Sequence, residues 1–343
     1  MRGALERRLG LAGWAERAVP GRYRCLVPLL AAAVCPHPPL IVPELAGAAA
    51  PELAELRDAC AAAVAAVYAA GADTIVLVGA GERTTELALP RRGSFAPWGL
   101  PLTVDLGTPH PDPASPSPVR TAPPRSDHPA LLRAVPPRGG SGSLPAVPPP
   151  GGVEPVPPPV DDAELPLSLL VGAWLVERTA PPAPTAWRMV SVASDEPADR
   201  CAALGAGLRV DGPWALLVLG DGSACHGPKA PGYDDPRAGA YDEGVARALA
   251  DADADALLGL DPVLSAQLGV AGRPAWQVLA GAVRAAGGDW HGELRHHGVP
   301  YGVGYLVASW TRTDPTGPDG TPAGDTGTRA GDAGTAAAGG VTR

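Results

Sequence analysis

Residues 26–43 read LVPLLAAAVCPHPPLIVP, and the fold turns on how that stretch is parsed. Leu26 to Val34 is an unbroken apolar run bounded by proline, the pattern of a strand buried on both faces. The apolar run from Cys25 to Cys35 contains Pro28 and is far shorter than the roughly 20 residues a membrane-spanning helix needs. It ends in Pro36-His37-Pro38-Pro39, so the strand feeds a loop that carries an imidazole.

Working outward, Pro51 to Gly71 reads as a helix: Pro51 sits in the first turn, Leu53, Leu56, Cys60, Val64 and Val67 recur at helical spacing, and Gly71 stops it. Thr74 to Val78 (TIVLV) is a second buried strand, ending in Gly79-Ala80-Gly81-Glu82. Strand, helix and strand at this spacing predict a right-handed parallel unit. Leu102 to Leu106 is a further candidate strand. After it, Leu165–Arg178 reads as helix, Trp187–Ala193 as strand, Pro197–Leu208 as helix and Trp214–Leu219 (WALLVL) as a buried strand. Asp242–Asp251, Pro262–Leu268 and Pro274–Ala286 read as helices, and Gly302–Trp310 closes as a strand. The alternation predicts a three-layer α/β/α fold with a mostly parallel central sheet.

The 343 residues include 44 Gly and 43 Pro, a proportion at the low-complexity threshold, yet 45% are hydrophobic. The Gly and Pro are concentrated: residues 108–163 hold 18 Pro and 5 Gly, which predicts a disordered, polyproline-like insert. The expected organisation is an N-terminal extension (1–26), one α/β domain built from 27–107 and 164–311, the insert at 108–163, and a disordered tail at 312–343. Net charge is −9, and no Lys/Arg cluster is interleaved with aromatics, so nucleic acid is set aside as a partner. Cys25, Cys35, Cys60, Cys201 and Cys225 are odd in number and show no C-x-x-C spacing, which suits a reduced, cytoplasmic protein better than a disulfide framework or structural zinc. Arg2, Arg7, Arg8 and Arg17 raise a secretory signal as an alternative; Glu6 and Glu16 in the charged region and the Pro-rich loop after the run argue against it.

In an open α/β sheet, ligands bind beyond the carboxyl ends of the strands. His37, Glu82 and the pair Cys225-His226 all follow strongly apolar strands, and an imidazole, a carboxylate and a thiolate or second imidazole are a plausible donor set for a divalent transition metal. Each has an ordinary alternative: a loop histidine bonded to backbone, a carboxylate capping the next segment near Thr84, a small buried thiol. Asp221 follows its strand directly and is read either as orienting His226 or as turn chemistry. Tyr301 is read as lining a pocket or as packing. Adjacent residues on a strand face opposite ways, so His296 and His297 are read as surface. Gly79-Ala80-Gly81 lacks the third glycine of a dinucleotide fingerprint, with Thr84 in its place, and Gly222-Ser223-Ala224 does not match a nucleophile elbow.

Cys35-Pro36-His37-Pro38-Pro39, the strand ending Val78-Gly79-Ala80-Gly81-Glu82, and Gly220-Asp221-Gly222-Ser223-Ala224-Cys225-His226-Gly227, in that order, resemble the class III extradiol ring-cleaving dioxygenases of LigB type and the related Memo-like proteins. Ala271-Gly272-Arg273-Pro274 with Trp276 is similar to a later Memo-like segment. The resemblance implies Fe(II) as cofactor, His37 as a metal ligand, His226 as acid–base residue and Cys225 as a Memo-like metal ligand, with a small aromatic, catecholic substrate. It also implies a possible homo-oligomer. The chain departs from the pattern at two points: Glu82 stands where the family has a second histidine ligand, and Gln277 lies near where the late glutamate ligand would fall. Two functions are therefore expected to compete: extradiol cleavage at an altered metal site, and a non-catalytic metal-binding or partner-binding protein on the same scaffold.

Overall fold

The computed structural model describes residues 28–89, 91–106, 164–179 and 186–313. The expected N-terminal extension, Pro-rich insert and tail lie outside or almost outside these residues.

The chain has a mixed α/β fold. Strand β1 (Leu29–Cys35) leads through short turns and α1 (Pro43–Ala46) to α2 (Ala54–Ala69), then to β2 (Thr74–Gly81) and β3 (Thr85–Leu87). A separate two-stranded ribbon follows, β4 (Arg91–Ser94) with β5 (Thr103–Leu106). The second half runs α3 (Leu167–Thr179), β6 (Ala186–Ala193), α4 (Ala198–Gly207), β7 (Trp214–Leu219), α5 (Arg237–Ala250), α6 (Ala254–Leu258), α7 (Pro262–Gln267), α8 (Arg273–Ala286), β8 (Asp289–Gly298) and β9 (Tyr305–Thr313). The seven-stranded sheet has the order β3-β6-β2-β7-β1-β9-β8. Its four inner strands, β6, β2, β7 and β1, are parallel, while β3, β9 and β8 join through antiparallel ladders.

Several boundaries differ from the sequence reading for identifiable reasons. Pro51 cannot donate a backbone hydrogen bond, and residues 47–53 form 3-10 turns before α2 takes over at Ala54. The candidate strand at 102–106 exists but pairs only with β4, outside the main sheet. Strand β8 escapes the sequence reading because it is an edge: Asp289 to Gly298 is polar and half-exposed throughout, with no apolar run to mark it. Helix α5 starts at Arg237, five residues before the expected Asp242, a shift that matters for the site.

Burial on both faces of the sheet explains why the inner strands read as continuous apolar runs. Ala31, Ala33 and Cys35 of β1 pack with Leu56, Cys60 and Val64 of α2 and with Leu169 and Leu170 of α3. Ala32 and Val34 face the other cluster, with Cys201 of α4, Val245 of α5, and Trp276 and Leu279 of α8. Among the described residues no helix is long and apolar enough to cross a membrane.

Helices α4 and α8 touch backbone to backbone. A Cβ on Gly205 would come within 2.0 Å of the Val278 carbonyl oxygen, and one on Gly281 within 2.2 Å of the Ala202 carbonyl oxygen. This crossing seats α8 so that its first turn meets the loop after β7. Gly281→Ala is therefore expected to cost about 1–3 kcal/mol in urea unfolding. Gly239→Ala, in α5 with open space around it, should gain about 0.5–1 kcal/mol. A Gly281→Ala protein as stable as the parent would refute the close crossing.

Candidate functional site

Strands β1 and β7 are neighbours in parallel register, Cys35 opposite Leu219. The ladder runs one residue further, Gly220 donating its N–H to the Cys35 carbonyl at 2.9 Å. The next residue, Asp221, therefore meets the loop after β1. Its Oδ1 accepts the backbone N–H of His37 at 2.7 Å and lies 3.5 Å from His37 Nδ1. The His37 residue is 8% exposed, and its Nδ1 is buried without a hydrogen-bond partner. Burial raises the Asp221 carboxyl above the ordinary carboxylate value, and the charge and N–H of His37 oppose that rise without cancelling it.

Beneath Asp221, its carbonyl accepts the Gly272 N–H at 2.8 Å at the start of α8. Room is tight: a Cβ on Gly220 would lie 2.4 Å from the Gly272 Cα, and one on Gly272 would lie 2.2 Å from the Trp276 indole. Arg273, also buried, donates to the carbonyls of Ser194 and Glu196 beyond β6 and to Gln277 Oε1. Gln277 in turn donates to the carbonyls of Leu258 and Leu260. The residue standing near the expected late glutamate thus braces α8 against the end of α6, while Arg273 ties α8 to the loop after β6.

The second half of the loop forms a different pair. Gly222 N–H bonds the Gly304 carbonyl, Gly304 N–H bonds the Ser223 carbonyl, and His226 N–H bonds the Gly302 carbonyl, which straps the loop to the segment between β8 and β9. Ser223 donates its N–H to Asp242 of α5, at 2.9 and 3.2 Å to the two oxygens. His226 Nε2 lies 2.7 Å from Asp242 Oδ2. Asp242 is 1% exposed, and the backbone leaves space for it: a Cβ on Gly304 would fall 1.9 Å from Oδ2, and one on Gly222 2.8 Å from Oδ1.

Asp242 is a functional candidate that the sequence reading does not single out. Its signal emerges once α5 is extended to Arg237: Ala238, Tyr241, Asp242, Val245 and Leu249 form one helical stripe, and all are buried. A carboxylate on an apolar stripe calls for a buried partner.

The expected metal donors part company. Cys225 is buried in the helix-side core, and its thiol donates to the Gly232 carbonyl at 3.2 Å, with the Gln267 carbonyl at 3.9 Å. Glu82 is exposed, one residue beyond β2. Among the described residues no group of three or more His, Cys, Asp or Glu side chains is gathered to hold a metal ion. His37 keeps an unpartnered ring nitrogen beside a carboxylate, but His37, Glu82 and Cys225 do not fit Fe(II) as one set. Tyr301 is 44% exposed, lies in the left-handed region (φ +58°), and donates its hydroxyl to Glu52 at 2.7 Å. Two cavities lie elsewhere: about 330 Å³ beside Leu87 and Trp187, and about 220 Å³ beside Leu208 and Trp214 at the opposite end of the sheet.

No family model matches the chain, and no curated protein matches it. Among solved structures it is similar to the crystal structure of uncharacterized protein JW3007 from Escherichia coli K12, at 15% identity and a TM-score of 0.40, over 82% of this chain and 99% of that one.

A raised carboxyl pKa means that the native state binds its proton more tightly than the unfolded chain does. Asp221 therefore favours folding below its ordinary value, and that contribution is lost as pH rises through the raised one. Asp221→Asn keeps an oxygen for the His37 N–H and removes the buried charge. It should raise Tm at pH 7, with the gain shrinking as pH falls toward about 4; a lower Tm at pH 7 would show that the charge itself holds the loop.

Proposed function

We propose that this is a cytoplasmic protein of the LigB-like, three-layer scaffold with a mostly parallel sheet, and that it acts on a small aromatic substrate bearing an ionisable hydroxyl. His226 is its acid–base residue. The observation that carries this reading is the 2.7 Å contact between His226 Nε2 and a carboxylate that is 1% exposed. In this reading Nε2 donates to the carboxylate, which leaves Nδ1 free to accept a proton from the substrate. Nδ1 has no hydrogen-bond partner among the described residues, and the side chain retains 16% exposure.

The steps follow from that arrangement. A substrate hydroxyl meeting Nδ1 gives up its proton, and the imidazolium that forms is stabilised by Asp242 on the far side of the ring. The Ser223 N–H keeps the carboxylate turned toward His226 throughout. The proton returns from Nδ1 to the product. Asp221, on the His37 side of the same loop, holds the neighbouring imidazole in place by its backbone. The motif order along the chain supports the LigB-like assignment, and the four cysteines among the described residues, all free and buried, suit a reducing compartment.

The second reading, a non-catalytic metal-binding or partner-binding protein, is favoured by the separation of Glu82 from Cys225. Oxygen uptake with a panel of catechols, after anaerobic purification with and without added Fe(II), separates the two. The catalytic reading expects uptake above that of free iron, reduced about 10²–10⁴-fold in His226→Ala and less in Asp242→Asn, while His37→Ala reports whether iron uses that ring. No uptake under any condition, with iron still bound stoichiometrically in the parent, would favour the binding protein.

A further inference from the structure

We infer that β8 is a docking edge for a second copy of this chain, two β8 strands pairing antiparallel about a twofold axis at Gly292. The inference is independent of the chemistry at His226.

The main sheet has two edges, β3 and β8, and they differ. β3 is three residues long, the short kind of edge that offers little to pair with. β8 runs for ten residues, DWHGELRHHG, with neither proline nor lysine. One side of it is paired with β9. Along the other side, no backbone N–H or carbonyl of residues 289–298 has a partner among the described residues. The ladder with β9 is regular from Asp289 to Leu294 and broken at Arg295, and a bulge is a common way to end an edge. The stretch from Asp289 to Leu294 is left open.

That stretch complements itself. In an isologous contact, residue i meets residue j and j meets i, so the position of the axis fixes every cross-strand pair. An axis at His291 sets Asp289 against Glu293, and one at Glu293 sets two carboxylates face to face; like charges directly opposite destabilise a ladder. Axes further out run off the start of the strand or into the bulge. An axis at Gly292 sets His291 against Glu293 and Trp290 against Leu294, and it brings Asp289 to the bulge at Arg295.

The two faces of the strand agree with that register. Gly292 lies flat on α5, where a Cβ would come within 2.6 Å of the Leu249 and Ala250 carbonyl oxygens. Trp290 and Leu294 pack, half-buried, on the same side. His291 and Glu293 alternate to the opposite face, and both are exposed. The carboxylate is already set in place there: Arg295 donates from Nε to Ser309 Oγ at 2.7 Å, and its Nη2 lies 2.6 Å from Glu293 Oε2. The Glu293 side chain still keeps 54% exposure, which leaves room for an imidazole from the second copy. A ladder this short suits a reversible dimer rather than a permanent one.

The test is sedimentation velocity of the full chain over an about hundredfold range of concentration, with Tm and the amide hydrogen exchange of residues 289–294 measured alongside. The parent should pass from monomer to dimer, and exchange in that stretch should slow as it does. Glu293→Lys, which sets a cation against the imidazole, should weaken the dimer about tenfold or more. The double variant His291→Glu with Glu293→Lys should restore it to within about threefold. A monomer at every concentration, or an unchanged dimer in Glu293→Lys, would overturn the inference. So would a double variant with the parent's Tm that stays as weak as the single one. Exchange that is slow at every concentration would show the edge covered by another part of the chain, and would overturn it as well. Should Glu293→Lys fail to fold, the concentration dependence of exchange in the parent decides.

Discussion

The buried carboxylate of Asp242 is the constraint around which this molecule is arranged. A carboxyl group this far from solvent must be hydrogen-bonded, or its burial costs several kcal/mol. Its partners come from one loop, the Ser223 N–H and the His226 ring. Bringing them close requires the absence of side chains at Gly222 and Gly304, since a Cβ at either would fall on the carboxylate. One charge on α5 therefore dictates the path of the loop after β7, the approach of the chain entering β9, and the orientation of an imidazole. Replacing it with an apolar residue would leave the Ser223 N–H and the His226 Nε2 without their acceptor.

The same constraint explains why the expected metal set does not assemble. Cys225 and His226 are adjacent, and the backbone sends them opposite ways. The ring turns to Asp242, while the thiol turns inward to the carbonyl of Gly232. On the other side of the rim, β1 and β7 deliver His37 and Asp221 to each other because they are parallel neighbours in register. β2 also ends at this rim, beyond β7, and Glu82 emerges there exposed. Two imidazole–carboxylate pairs stand at the ends of one short loop, where the sequence pattern alone suggests one metal centre drawing on both.

How much of this is legible in the sequence depends on burial. The inner strands and the long helices are readable because sheet burial on both faces leaves apolar runs, and helix burial leaves a stripe. The edge strand β8 is not, since a half-exposed edge carries no such run. His37, Asp221 and His226 stand out from their places just beyond strands, which is a matter of topology. Asp242 does not, because its apolar stripe becomes visible only when Arg237 to Tyr241 is counted as helix. The thiol direction at Cys225 is beyond reach, because it follows from Gly232, seven residues away, folding back onto Ala224. Pairings set by a loop's return path leave no periodic trace.

Backbone strain is distributed unevenly, and its distribution follows the same logic. Tyr233 and Tyr301 are two of three non-glycine residues at positive φ among those described, and both lie on segments bonded to the chain at His226; Gly227 and Gly302, also at positive φ, lie there too. The sheet and the α4–α8 crossing are made of regular backbone and close packing. Strained residues survive when the rest of the structure is stable enough to hold them. A loop that had only to connect β7 to α5 could do so with glycine at position 233 and no loss of packing. Tyr233 stands exposed there instead, and the backbone bonds on either side of it, from Gly232 to Ala224 and from Asp235 to Cys225, hold the strained residue in place.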